Sequence, residues 1–395
     1  MIADLLFLSH RIPYPPNKGD KIRSYHILKY LASRYRVHLG AFVDDPDDWR
    51  YGDELRKLCA SVKLVKLNPK TALLRGAIGL LTGEALGMPY YRDRAMTRWI
   101  NELRERVTPQ AIFVFSSTMA QYVDDTHATS VLDLCDVDSE KWRQYAARHR
   151  FPMSLIYNRE ARLLARAERE MSKRFGAVVL VSDGEVDLFK KIAPNAASRT
   201  HTLRNGVDTA YFDPQLKCEN PFALDEHAIV FTGAMDYWAN ADAVTWFAKE
   251  ILPTIRAQRP HARFYIVGSR PSEAVRNLAS DSVVVTGTVT DVRPYMHHAR
   301  VIVAPLRIAR GVQNKVLEAL AMARPVVATD DALDGLDGAI DAGALSAKDA
   351  TSFAAAVSAK LADESDNEAG RRYVCERFGW GASLALLDSL LAPVK

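Results

Sequence analysis

Short β-branched apolar runs alternate with longer amphipathic stretches along this sequence, and the alternation starts again in the second half. The first half has strand-like runs at 4–9, 37–43, 62–67, 111–115, 131–134 and 177–181, with helical spacing over 21–35 and 151–175. The second half has runs at 228–232, 262–267, 283–286, 301–304 and 326–329. Its helices are predicted over 241–259, 272–279, 291–298, 311–322 and 348–362. Strands that alternate with helices in this way pair in parallel, with helices covering both faces of the sheet. The expected fold class is therefore α/β, with two doubly wound Rossmann-like domains side by side and a cleft between them. Turn chemistry at Asn205-Gly206 and Asp213-Pro214 places the junction within 203–216. Ligands of open parallel sheets bind beyond the carboxyl ends of the strands. The loops that matter are then 10–20, 133–139, 233–240, 268–271 and 305–311.

A length of 395 residues suits two domains. With 48% hydrophobic and 25% charged residues, the composition is ordinary globular usage and excludes disorder, collagen-like sequence and coiled coil. A mean hydropathy of −0.13, with no uncharged apolar run of helix-spanning length, argues against a transmembrane helix. Residues 1–5 put an acid before a short apolar run. A signal peptide has a basic region and a longer apolar core, so the expected location is cytoplasmic. Cys59, Cys135, Cys218 and Cys375 show no zinc-finger or redox spacing and are expected to be buried free thiols.

Charge is uneven. Residues 1–200 carry 32 Lys and Arg against 24 Asp and Glu, whereas 201–395 carry 20 against 24. A basic first half suits an anionic partner such as a membrane surface or a phosphorylated ligand. The charge is dispersed, without a basic tail, so nucleic acid is not an expected partner. The apolar segment 71–91 contains Arg75 and Glu84 and is followed by Arg92, Arg94, Arg98, Arg104 and Arg106. It fits either peripheral contact with anionic lipid or an amphipathic helix packed on its own domain.

Four constellations can carry chemistry. The loop 13–20 contains Gly19 at a strand-to-helix turn, where backbone can approach a ligand and helix amides favour an anion. In 305–325, a strand ends near Pro305 and a helix is expected to open at Gly311, flanked by Arg307, Arg310 and Lys315. Cations beside a helix N-terminus are what a diphosphate needs. Glu318 falls on the same helical face as Gly311 and Lys315, where a carboxylate can accept from vicinal sugar hydroxyls; the alternative is a surface pair with Lys315. The run DLCDVDS holds Asp133, Asp136 and Asp138 after a strand. It suits a general base, a metal site or a helix N-cap at Asp138 or Ser139, with Asp136 the best placed to face a ligand. After the first strand of the second half, Gly233 allows close backbone approach. Tyr237 and Trp238 there can stack on a base, although at least one is expected in the core. His10 follows a strand and can line the cleft, while His297 and His298 near a helix end read as capping or solvated. Serine-hydrolase elbows, P-loops and Cys/His metal spacings are absent.

The run VIVAPLRIARGVQNKVLEALAMARPVVAT resembles the C-terminal signature of the family-four retaining glycosyltransferases of the GT-B fold. NGVDTAYF at 205–212 resembles that family's segment at the domain junction, and FLSHRIPYPPNKGDKIR its first glycine-containing loop. The tail FGWGASLALLDSLL is similar to its closing helix, which crosses back to the first domain. The resemblance thus implies domains at 1–206 and 207–376, with 377–395 returning to the first. DVDSEKW and RGVQNKVLEA resemble more closely the sugar transferases tied to exopolysaccharide loci of the PEP-CTERM/exosortase system.

The resemblance implies a nucleotide-diphosphate sugar donor, transfer with retention, no bound metal or other cofactor, and a saccharide or polyprenyl-linked saccharide acceptor at the inner membrane face. By position, Glu318 matches the second Glu of the family's Glu-x7-Glu pair and would hold the nucleotide ribose. Lys315 and Gly311 fall at the diphosphate, and Gly19 in the loop that closes over the donor. Arg310 stands where the first Glu belongs, which leaves the donor sugar open and adds a cation to the phosphate clamp. The family's basic residue after the first strand of the second domain is missing, so phosphate charge falls on Arg307, Arg310 and Lys315, or on Arg270. Two other readings stay open: a nucleotide-sugar epimerase of the same architecture, and a non-catalytic nucleotide-sugar-binding scaffold, which Arg310 favours.

Overall fold

The structure is a computed structural model that describes residues 2–392 except Asn17, 124–126, Arg310, Gly311 and Glu364. The side chains of Leu74, Ala77, Ile78, Leu80, Leu81, His127, Ala128 and Arg148 also lie outside the described residues. The chain forms two units, one comprising Met1–Asn205 with Ser383–Lys395, the other Gly206–Ala382.

The first unit is built on β1 (Asp4–Ser9), β2 (Arg36–Val43), β3 (Ser61–Lys66), β4 (Ala111–Phe115), β5 (His127–Cys135), β6 (Phe175–Leu180) and β7 (Thr200–Thr202). They pair in parallel in the order β3-β2-β1-β4-β5-β6-β7. Leu5, Leu6, Phe7 and Leu8 of β1 are all fully buried. Burial of successive residues means that both sheet faces are covered, which is why these strands read as continuous apolar runs rather than alternating ones. The helix Gly19–Ala32 follows β1, and Met153–Ser172 precedes β6. The helix Leu386–Leu390, near the end of the chain, belongs to this unit. Tyr30 donates to the Asp388 carboxylate (2.8 Å), Tyr35 to the Leu391 carbonyl (3.0 Å), and Leu384, Leu387 and Leu391 are fully buried.

The second unit repeats the scheme with β8 (His227–Thr232), β9 (Ala262–Val267), β10 (Val283–Gly287), β11 (Val301–Ala304), β12 (Val326–Ala328) and β13 (Leu345–Ser346). All pairs are parallel, in the order β10-β9-β8-β11-β12-β13. Both sheets therefore have a doubly wound strand order, with its reversal between β1 and β4 in one and between β8 and β11 in the other. A separate apolar core fills this unit, including Ile229, Phe231, Phe247, Phe264 and Phe353.

Differences from the sequence reading are local. Strands β7 and β13, three and two residues long, are added; such short pieces carry no periodicity. Of the four free thiols only Cys59 is buried; Cys135 and Cys218 are half-buried and Cys375 is exposed. In the apolar segment 71–91, Ala72, Ala85 and Met88 pack into the first unit, and Leu73 faces solvent. Among the described residues no helix is long and apolar enough to cross a membrane.

Candidate functional site

Loops at the carboxyl edge of the second sheet surround a cavity of about 590 Å³. Its wall includes Thr232 at the end of β8 and Gly233 after it, Gly268 and Ser269 after β9, residues 288–292 after β10, and residues 312–315 with Glu318 after β11. Backbone hydrogen bonds knit three of these loops. Gly233 N–H donates to Val267 O (3.1 Å), Met235 N–H to Ser269 O (2.8 Å) and Gly268 N–H to Gly287 O (3.3 Å). The loops pass so closely that a Cβ on Gly268 would overlap the Gly233 carbonyl oxygen. Gly233 has φ +156°, and a Cβ there would stand 2.8 Å from Asn240 Nδ2 and 3.5 Å from Lys315 Nζ. Glycine at both positions lets backbone, rather than side chains, form this part of the wall.

Lys315 and Glu318 lie one turn apart on the helix Asn314–Ala321 and both line the cavity. The Lys315 ammonium donates to Asn240 Oδ1 (2.6 Å) and stands 4.1 Å from the centre of the Phe231 ring. Asn240 is fixed in turn, because its Nδ2 donates to Ala234 O (2.9 Å). Burial lowers the Lys315 pKa to about 7, against the opposing pull of Glu318. Burial raises the Glu318 pKa to about 7, against the opposing pull of Lys315. Both side chains are half-buried in the cavity wall, where a cation and a carboxyl group stand together beside the space a ligand would fill. Across the cavity, Asp291 accepts two or more hydrogen bonds from Arg293, whose guanidinium lies 3.8 Å from the centre of the Tyr211 ring.

The helix starts at Asn314, not at Gly311, with Gln313 at the N-cap. Gln313 has extended backbone (φ −89°, ψ 104°), so helical geometry begins only after it. Arg310 and Gly311 themselves lie outside the described residues. Arg307 does not reach the cavity: it forms an ion pair with Asp242 and lines a separate pocket with Trp246 and Thr329. Arg270 is also exposed and pairs with Asp236 (3.1 Å). Tyr237 and Trp238 are both exposed, which corrects the expectation that one packs in the core; Tyr237 lines the cavity.

In the first unit Gly19 opens the helix Gly19–Ala32 and is exposed, with no atom within 4 Å of a Cβ built on it. Beside it Arg11 pairs with Asp20 (2.6 Å) and Asp44 (2.8 Å), and the His10 ring packs on Phe115 and Tyr91. Asp136 is exposed on the turn after β5, where Cys135 has φ +65°. Asp133 does not join it. Its carboxylate is fully buried and takes two hydrogen bonds from the equally buried Arg23 (2.9 and 3.1 Å), a structural ion pair. Neither Asp138 nor Ser139 caps the next helix, Asp138–Arg148; the N-cap is Val137. The orphan amides are met from elsewhere: Val137 N–H donates to Glu185 (2.6 Å), and Ser139 donates through N–H (3.2 Å) and Oγ (2.6 Å) to Glu168. Burial raises the Glu168 pKa to about 7.

Sequence reasoning missed Asn240 as the group that positions Lys315, and the 288–292 loop altogether. The second was within reach, since that loop also follows a parallel strand at its carboxyl end.

Residues 226–363 match the family model described as glycosyl transferases group 1. Comparison with curated proteins gave no match. Among solved structures, the chain is similar to sucrose-phosphate synthase from Thermosynechococcus elongatus, at 17% identity and TM-score 0.63, covering 98% of each chain. It is similar to WaaG, a glycosyltransferase involved in lipopolysaccharide biosynthesis, at 16% identity and TM-score 0.63, covering 98% of this chain and 99% of that one. It also resembles Anabaena Alr3699/HepE, solved in complex with UDP and glucose, at 13% identity and TM-score 0.59, covering 99% and 100%. The chain has the GT-B fold, and the part that matches group 1 glycosyl transferases is the unit that holds Lys315 and Glu318.

Proposed function

We propose that this protein is a glycosyltransferase of the hexosyltransferase type that takes a sugar from a nucleotide-diphosphate donor. The observation that carries the reading is the placement of Lys315 and Glu318 on one helix face, in a cavity at the carboxyl edge of the second sheet. A lysine beside a helix N-terminus suits a diphosphate, and a half-buried carboxylate in the cavity wall suits sugar hydroxyls. The family match of residues 226–363 and the similarity to a protein solved with UDP and glucose support this donor class.

In this reading, departure of the nucleoside diphosphate builds negative charge on phosphate oxygens. Lys315, with Arg310 and the Gly311 backbone, stabilises that charge more in the transition state than before it. No resident metal is assigned to this step. Glu318 holds the ribose and Gly233 keeps the wall close to the donor; the motif resemblance supports Gly19 as a further donor-binding residue. Asp136 is the candidate catalytic carboxylate. The motif resemblance supports the finer assignments: retention, with the acceptor hydroxyl attacking on the leaving-group face; a saccharide or polyprenyl-linked saccharide acceptor; and exopolysaccharide assembly of the PEP-CTERM/exosortase type. The same resemblance, with the basic first half, supports work in the cytoplasm at the inner membrane face.

The test is a screen of the purified protein against UDP-, GDP- and dTDP-sugars, read by thermal shift and by release of nucleoside diphosphate. One donor should stabilise the protein and turn over slowly. Glu318→Ala should weaken that donor by roughly 10–100-fold, since a hydrogen bond to a charged group contributes about 1.5–3 kcal/mol. Binding without turnover would favour the scaffold reading. A folded protein that no donor shifts would sink the proposal.

A further inference from the structure

At the amino edge of the second sheet, three side chains of metal-binding type converge. Cys218 lies in the stretch leading to β8, and His297 and His298 end the helix Arg293–His297 just before β11. One donor atom from each lies within 4.8 Å of the others. Cys218 Sγ is 3.7 Å from His298 Nε2, and the two imidazole rings stand nearly perpendicular with centres 4.7 Å apart. A tetrahedral zinc ion, with Zn–S of ~2.3 Å and Zn–N of ~2.0–2.1 Å, holds its sulfur and nitrogen ligands about 3.5 Å apart. The Cys218–His298 pair is already near that spacing, and the His297 donor atom lies within 4.8 Å of both. All three residues are half-buried. His297 Nδ1 is a buried polar atom without a hydrogen-bond partner among the described residues. The nearby Arg324 is engaged by Asp366.

We propose that Cys218, His297 and His298 form a site for one thiophilic divalent cation of the zinc type, separate from the cavity that holds Lys315 and Glu318. One thiolate and two neutral imidazoles are the soft and borderline donors that select zinc over magnesium or calcium. Binding releases the thiol proton to solvent and replaces the contact of His298 Nε2 with the Cys218 carbonyl (3.1 Å) by a bond to the metal. The fourth position is left to water or to that carbonyl. The ion would pin the irregular segment before β8 to the end of a short helix, a stretch that otherwise has few backbone hydrogen bonds to hold it.

The experiment uses the full chain, stripped with chelator, reduced and titrated with cobalt(II). The expected result is one cobalt per chain, with a thiolate-to-cobalt charge-transfer band and the intense visible bands of tetrahedral coordination, both displaced by zinc. Cys218→Ser should abolish the charge-transfer band while Cys59, Cys135 and Cys375 remain. His298→Gln should keep the thiol and weaken zinc by more than about 100-fold, because loss of even an outer-shell partner costs ~10–100-fold. Absence of the band in the native protein, or its survival in Cys218→Ser, would overturn the assignment. If Cys218→Ser does not fold, unchanged zinc affinity in His298→Gln overturns it equally. None of these readouts depends on donor binding or turnover.

Discussion

Lys315 is the residue whose protonation matters most. Burial holds its pKa near 7, far below the 10.5 of a free lysine, so the folded protein carries the cost of the charged form at pH values below 7. A bound diphosphate reverses that preference and pulls the pKa back up, so binding above pH 7 takes up a proton. Glu318, raised to about 7, sets no such dependence by itself: above pH 7 its carboxylate adds a negative charge near the phosphates but also becomes the stronger acceptor for the ribose hydroxyls. Affinity for a nucleotide sugar should therefore be greatest below pH 7 and fall by up to about tenfold per unit as pH climbs from 7. Titration calorimetry in buffers of different ionisation enthalpy will show the proton uptake, and Lys315→Met should remove it. A flat pH profile in the native protein would contradict the assignment. A nucleotide sugar is the better probe than a free nucleotide, since it has no terminal phosphate titrating in this range.

At the scale of elements, the cavity depends on how closely two loops pass. Gly268→Ala pushes a methyl group into the backbone of Gly233, not into a side chain that could turn aside. The expected cost is ~1–3 kcal/mol of stability, together with weakened donor binding, measured by chemical denaturation and by thermal shift with and without ligand. Unchanged stability would mean that the two loops are free to separate. This geometry also shows what the sequence could and could not reveal. The long strands were legible because burial on both faces leaves an apolar run, as in β1 and β9. Lys315 and Glu318 were legible because their spacing on a helix is a local property. Asn240 was not, since its role depends on an ammonium group 75 residues further along the chain. Asp133 looked like part of an acidic cluster because its neutralising partner, Arg23, is 110 residues away. Nor could spacing show that the helix Asp138–Arg148 borrows its caps from Glu168 and Glu185.

On the scale of the whole molecule, each unit has its own buried core, so unfolding should proceed in two transitions rather than one. A nucleotide bound to the second unit at a hundred times its Kd should stabilise that unit by about 2.7 kcal/mol. Differential scanning calorimetry with and without the nucleotide should move one transition and leave the other in place. A single transition that shifts as a whole would show that the units unfold together.

The first unit is also discontinuous in sequence, closed by a segment that comes after all of Gly206–Ala382. The surface that receives Leu384, Leu387 and Leu391 is made long before those residues are. At a synthesis rate of ~5–20 residues per second, the wait is on the order of ten seconds or longer. For that interval the newborn first unit presents an apolar strip that the segment carrying these leucines has yet to cover.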